Sequence, residues 1–281
     1  TLIFVPRARW TLLATLAALA AAAEMVAGPR GVVGYLAGVV PAHAASEVHF
    51  PFQYSFTYAA AWFGASDNAA RLAGALSYLV LLGAGLWLAK RTSAHLDRRE
   101  LFVFIPALCC VIGGSFLHQE ELCFALPALA ILSLETRDWT RTVFVTALCV
   151  LSIPWIAVWS SKQLFAASLL VCAVILWRMR VELRIGAPIF VGIAAALYGF
   201  ELHPPQLPLP TGAPLGPYLP GELVQRAWQD YTAARSTHDV AWFAIKLPVW
   251  AALIAAALAA AVARQPNAAE AEEAASISRR I

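Results

Sequence analysis

The stretch "GGSFLHQEELCFALPAL", residues 113–129, sets His118, Gln119, Glu120 and Glu121 side by side between two apolar runs. Carboxylates and imidazoles in such surroundings are costly to keep, so they read first as a site where protons, hydroxyls or phosphates are handled. His118 and Glu121 are three apart and share one helical face, whereas Glu120 is turned by roughly 100° from Glu121. One carboxylate could face a cavity and the other the interface. A plainer reading stays open: at the start of a helix the acids meet the positive end of the helix dipole, and Glu121 could close a capping-box-like contact three residues after His118.

A second polar group lies upstream in "PAHAASEVHFPFQYSF", with His43, Glu47, His49 and Gln53. Glu47 is the only acid between Glu24 and Asp67. A His-x5-His spacing with an intervening Glu is a weak metal signature, and a polar loop is the alternative, so no metal site is assigned. No P-loop, dinucleotide fingerprint, nucleophile elbow or zinc-protease motif occurs. A pocket of His, Gln and Glu suits hydroxyl-rich or phosphate-bearing headgroups, while proton relay or ion coupling would use the same residue types.

The elements that position these residues are membrane helices. The 281 residues are 60% hydrophobic and 13% charged, with a mean hydropathy of +0.68, too little polar matter to cover a soluble surface. An all-α polytopic protein follows, with about eight spans at 10–27, 69–89, 101–113, 121–134, 143–157, 165–177, 185–200 and 240–262. The spans at 101–113 and 121–134 fall below the roughly 20 residues a crossing needs, and they flank the HQEE motif. Of the 20 Lys and Arg, 14 fall in alternate loops and at both ends, which predicts cytoplasmic termini and an outward-facing HQEE. The net charge of +3 reflects this asymmetry and carries no nucleic-acid footprint.

Residues 1–264 are expected to form one transmembrane domain with outer loops at 28–68 and 201–239. The first loop is apolar but broken by Gly and Pro, as suits interfacial or re-entrant segments. The second opens with a proline-rich extended stretch and continues into a short amphipathic helix with Leu223, Ala227, Trp228 and Tyr231 on one side. Residues 265–281 form a mobile cytoplasmic tail. The five cysteines fall inside spans and read as small buried apolar residues. The chain starts at Thr1 with Leu2–Pro6 already apolar, so it reads as a fragment entered after an earlier span. The expected location is the inner (plasma) membrane.

The order of features resembles the C-terminal half of polyprenol-phosphate-dependent membrane glycosyltransferases of the GT-C type, glycosyltransferase 87 (DUF2029-like) family, over about residues 41–134. In that family an outer-loop Asn-Gln-Ser-like motif precedes a long span, and a Ser-Pro-x-Ser-Trp-x-His-His-like motif opens a later helix. "HFPFQYSFTYAAAWFG" holds the first position, with Gln53 and Ser55 the nearest matches; "GGSFLHQEELCFALPALAIL" holds the second, with Ser115 and His118. The Pro and Trp of the second motif are missing here. The acid that such enzymes carry in their first outer loop would lie upstream of Thr1, and Glu47 is its only outer-loop substitute.

The resemblance implies transfer of a sugar from a polyprenyl-phosphate carrier at the outer face, with a carboxylate deprotonating the acceptor hydroxyl and cationic or hydrogen-bonding groups stabilising the leaving phosphate. Glu47, His118 and Glu121 are then the expected catalytic residues. His49, Gln53, Ser55, Arg71, Ser115, Gln119 and Glu120 are expected to bind substrate. The partners are membrane lipids and the lipid-linked donor, with no further cofactor. A transporter or channel-like protein with HQEE at a gate is the rival, and a non-catalytic membrane subunit the third reading.

Overall fold

A computed structural model describes residues 8–205 and 239–263. The proline-rich stretch and amphipathic helix expected in 201–239 lie almost wholly outside the described residues, and so does the tail at 265–281. All regular structure among the described residues is helical. The order is α1 (Ala8–Gly34), a π-helical turn (Tyr35–Val39), α2 (Val40–Ser46), α3 (Phe56–Trp62), α4 (Asp67–Leu96), α5 (Leu101–Cys110), a 3-10 turn (Glu120–Ala125), α6 (Leu126–Glu135), α7 (Trp139–Leu151), a 3-10 turn (Val158–Ser160), α8 (Lys162–Arg178), α9 (Leu183–Leu202), α10 (Val240–Ala244) and α11 (Leu247–Val262).

Each of the eight expected spans overlaps a helix, yet among the described residues only four helical stretches are long and apolar enough to cross a membrane: Arg9–Ser46, Asp67–Leu96, Leu183–Leu202 and Val240–Val262. The helices at the other four expected spans, α5 to α8, have between 10 and 17 residues. The difference is one of length. Apolar composition marks a segment that avoids water, and such a segment can be a helix too short to cross. The first outer loop also differs from its reading as broken interfacial backbone. Its opening continues the first helix through a kink at Gly28 and Pro29, where proline has no N–H to donate, and through the π-turn into α2.

The chain divides into two compact units. The first comprises Thr1–Leu79, Gly113–His118 and Pro205–Phe243; the second comprises Val80–Ile112, Gln119–Pro204 and Ala244–Ile281. In the first, Val48, Ala61 and Ala70 form a small core. Around it stand aromatic pairs: Phe52 against Trp242 at 5.2 Å, and Trp62 stacked on Phe243 at 5.4 Å.

In the second unit α7 and α11 lie along each other. The buried stripe Val249, Leu253, Ala256 and Ala260 on α11 follows helical spacing, and its small residues let backbones approach closely. Thr92 Oγ1 donates to the Ala260 carbonyl at 3.0 Å, and Arg141 Nε donates to the Ser133 carbonyl at 3.1 Å. Polar side chains thus satisfy carbonyls between apolar helices, where an unpaired group would be expensive. Cys109, Cys149 and Cys172 are buried as expected, but Cys123 is exposed: the 3-10 turn that carries it packs through Leu122 and Ala125 instead.

Candidate functional site: a buried carboxylate between two imidazoles

Glu47 closes α2 as its C-terminal cap, its N–H donating to the His43 carbonyl at 3.2 Å. From there the chain turns through Val48–Tyr54, with Phe50 N–H donating to the Glu47 carbonyl at 3.0 Å. Ser55 then caps α3 by accepting from Tyr58 N–H at 3.1 Å. This turn carries Gln53 back over Glu47.

The segment Gly113–His118 folds onto the same turn. Tyr54 N–H donates to the Leu117 carbonyl at 2.6 Å, and Thr57 N–H reaches the Gly114 carbonyl at 3.5 Å. Its approach requires glycine. A Cβ at Gly113 would stand 2.5 Å from the Phe56 ring, and one at Gly74 on α4 would stand 2.0 Å from Thr57 Oγ1 and 2.9 Å from the Gly114 carbonyl oxygen.

The result is a hydrogen-bonded cluster on one carboxylate. Oε1 of Glu47 lies 2.9 Å from His43 Nε2, and Oε2 lies 3.3 Å from His118 Nε2. Gln53 Nε2 donates to Oε2 at 2.6 Å. The orientation of Gln53 is fixed in turn: Ser55 accepts from Tyr58 N–H, so its hydroxyl hydrogen donates to Gln53 Oε1 at 2.7 Å, leaving the amide nitrogen for Glu47. The Glu47 side chain is 1% exposed, that of His118 22% and that of His43 48%. Three partners meet the requirement that a carboxyl taken out of water be hydrogen-bonded.

Burial also pushes the Tyr54 and Tyr58 phenols above their ordinary value, and for Tyr58 the charge of Asp239 adds to the effect.

Of the expected site residues, Glu47, Gln53, Ser55 and His118 come together. His49 does not join them; its Nε2 lies 3.0 Å from Asp67 Oδ1 in the first turn of α4. Arg71 pairs with Asn68, while its Nε is buried without a hydrogen-bond partner among the described residues. Ser115 stands in the glycine segment, half-buried.

Gln119, Glu120 and Glu121 belong to the second unit. The capping-box contact expected from His118 to Glu121 is not the one formed. The turn begins one residue later, with Gln119 at its cap position and no side-chain cap bond. Instead Gln119 Oε1 accepts from Ile156 N–H at 2.9 Å. Glu120 is exposed and Glu121 half-buried in the first turn, where the dipole argument still favours acids. Among the described residues no group of three or more His, Cys, Asp or Glu is arranged to hold a metal ion.

Two residues stand out that the sequence reading passed over. His43, weighed in the sequence only as half of a weak metal spacing, stands i,i+4 to Glu47 on a helix, and that spacing is a legible signal. Lys246 is fully buried at the junction of α10 and α11. The hint was a lone Lys inside "VAWFAIKLPVW".

No family model, curated protein or solved structure matches the chain. Fold and composition define its class as an all-helical membrane protein.

Proposed function

We propose that the protein is a membrane transferase acting at the outer face, moving a sugar from a polyprenyl-phosphate carrier to an acceptor hydroxyl, with His118 and Glu47 at its centre. The observation that carries this reading is the convergence on Glu47 of the two sequence segments that resemble the family motifs: Gln53 and Ser55 from one, His118 from the other.

The burial of Glu47 changes the division of labour from the one the resemblance implies. A substrate hydroxyl meets the partly exposed His118 before it meets a carboxylate that is 1% exposed and held on both oxygens. His118 turns Nε2 to Glu47, so a proton taken from an acceptor enters at Nδ1, and Glu47 orients the ring through Nε2. Arg71 is the cation on this unit best suited to the departing phosphate, because a guanidinium keeps its charge when partly buried. Glu121 and Glu120 belong to the other unit and enter the reading through the resemblance alone. The inner membrane and the cytoplasmic termini belong to the same reading.

The test is consumption of a radiolabelled polyprenyl-phosphate hexose by the protein in nanodiscs supplied with native membrane extract as acceptor. His118→Ala and Glu121→Gln are each expected to lower the rate by about 10²-fold or more, the range of a general base. Wild-type rates in both, with folded protein, would refute the assignment. The transporter reading draws on the same proton-bearing groups, and it predicts no donor consumption but solute-dependent proton uptake into sealed vesicles.

A further inference from the structure

Two imidazoles on opposite oxygens of one buried carboxyl do more than orient a base. We propose that His43, Glu47 and His118 form a proton relay, in which a proton entering at His118 leaves at His43. The source of the proton rests on the transferase reading; the path does not.

Three observations on the first unit carry it. The 2.9 Å from Oε1 to His43 Nε2 is a hydrogen-bond distance, and the 3.3 Å from His118 Nε2 to Oε2 is an ion-pair contact a little longer than one, so the three groups stand in line on one carboxyl. Exposure rises from 1% at Glu47 to 48% at His43, so the chain of groups runs from a closed centre to an open end. The helical stretch bearing His43, Arg9–Ser46, has 38 residues. That is more than the roughly 20 residues a crossing needs, with the kink at Gly28 and Pro29 between its two parts.

The steps balance. At the outset Glu47 carries its proton on Oε1, facing a lone pair on His43 Nε2, and Oε2 accepts from His118 Nε2–H and Gln53. A proton arrives at His118 Nδ1; the Nε2 proton of His118 passes to Oε2; the Oε1 proton passes to His43 Nε2; and His43 releases its Nδ1 proton to water. Net charge is unchanged, and each imidazole ends as its other tautomer. The chain resets when rotation of the carboxyl returns its proton to the His43 side and each imidazole regains its first tautomer by exchange with water, with no proton carried back along the path.

Gln53 contributes by donating to Oε2, which leaves Oε1 as the oxygen that carries the exit proton. Of the other titratable groups on this unit, His49 Nε2 lies 3.0 Å from Asp67 Oδ1, and burial keeps the Tyr54 and Tyr58 phenols protonated. The Phe50 ring, 6.4 Å from that of His118, gives the relay an apolar wall.

The experiment is a pH titration of the histidine ring nitrogens by NMR on 15N-histidine-labelled full-length protein in nanodiscs. His43 and His118 are expected to titrate as a coupled pair, each curve showing two steps, and Glu47→Gln is expected to reduce each to a single step. Independent one-step curves in the wild type, or coupling that survives Glu47→Gln, would overturn the relay. This readout needs no transfer activity, so absence of donor consumption beside a coupled pair would defeat the transferase reading and leave the relay standing. Where donor consumption is measured, His43→Ala is expected to slow it about tenfold and millimolar imidazole to restore it, as a missing proton carrier requires; an unchanged rate in His43→Ala would overturn the relay.

Discussion

Replacement of Glu47 by Ala and by Gln should have very different consequences for stability. The carboxyl holds Gln53 at 2.6 Å, His43 at 2.9 Å and His118 at 3.3 Å. Alanine removes the acceptor from all three. Gln53 is fully buried and bears the whole desolvation penalty of an unmade bond, about 1–3 kcal/mol. His118, at 22% exposure, bears part of a similar penalty, and the half-exposed His43 rehydrates at little cost. With the small cavity added, Glu47→Ala should lose about 2–5 kcal/mol. Glutamine keeps the shape: its carbonyl accepts from Gln53 and His118, and its amide donates to His43 once that ring presents a lone pair at Nε2, so the loss should be about 1 kcal/mol or less. At roughly 2 °C per kcal/mol for a chain of this size, alanine should lower the midpoint of thermal unfolding in nanodiscs by about 4–10 °C and glutamine by about 2 °C. An alanine variant as stable as wild type, or a glutamine variant as damaged as alanine, would show that Glu47 does not organise this cluster.

Gly74→Ala should destabilise by about 1–3 kcal/mol, because two of the three atoms its Cβ would crowd are backbone and cannot swing away; thermal unfolding measures it, with Gly83→Ala, which meets nothing within 4 Å, as the control. Stability should also fall in alkali. The Tyr54 and Tyr58 phenols stay protonated in the fold above the value near 10 at which they ionise in the unfolded chain. Their contribution is therefore complete below pH 10 and declines above it, by about 1.4 kcal/mol per pH unit for each; unfolding midpoints between pH 8 and 11, compared with Tyr54→Phe, measure the decline.

Helix positions were readable because an apolar run flanked by charge announces a membrane element, and each expected span found a helix. Crossing was less readable: α5 and α6 are as oily as α4 but only 10 residues long, and hydropathy does not register where backbone direction changes. The polar residues were readable as candidates but not as partners. Gln53 and Ser55 stood out by type. Their order around Glu47 depends on which way the 47–55 turn folds, and that turn is set by carbonyls offered from Gly114 and Leu117, far along the chain. The HQEE motif looked like one feature because its residues are adjacent, yet His118 ends a segment of the first unit and Gln119 starts one of the second.

The close approach at Gly74 and Gly113 has a use for recognising kin of this protein. Substitution at either glycine meets a neighbour, so both positions should vary little wherever the Glu47 cluster is kept. Together with the polar residues they define a spaced signature: Glu, five residues, Gln-x-Ser, a glycine 19 positions after that Ser, and later Gly-Gly, three residues, His. A chain that matches this spacing but has lost the upstream histidine four residues before the Glu would be a natural variant of the relay, one in which evolution has already made the His43 substitution.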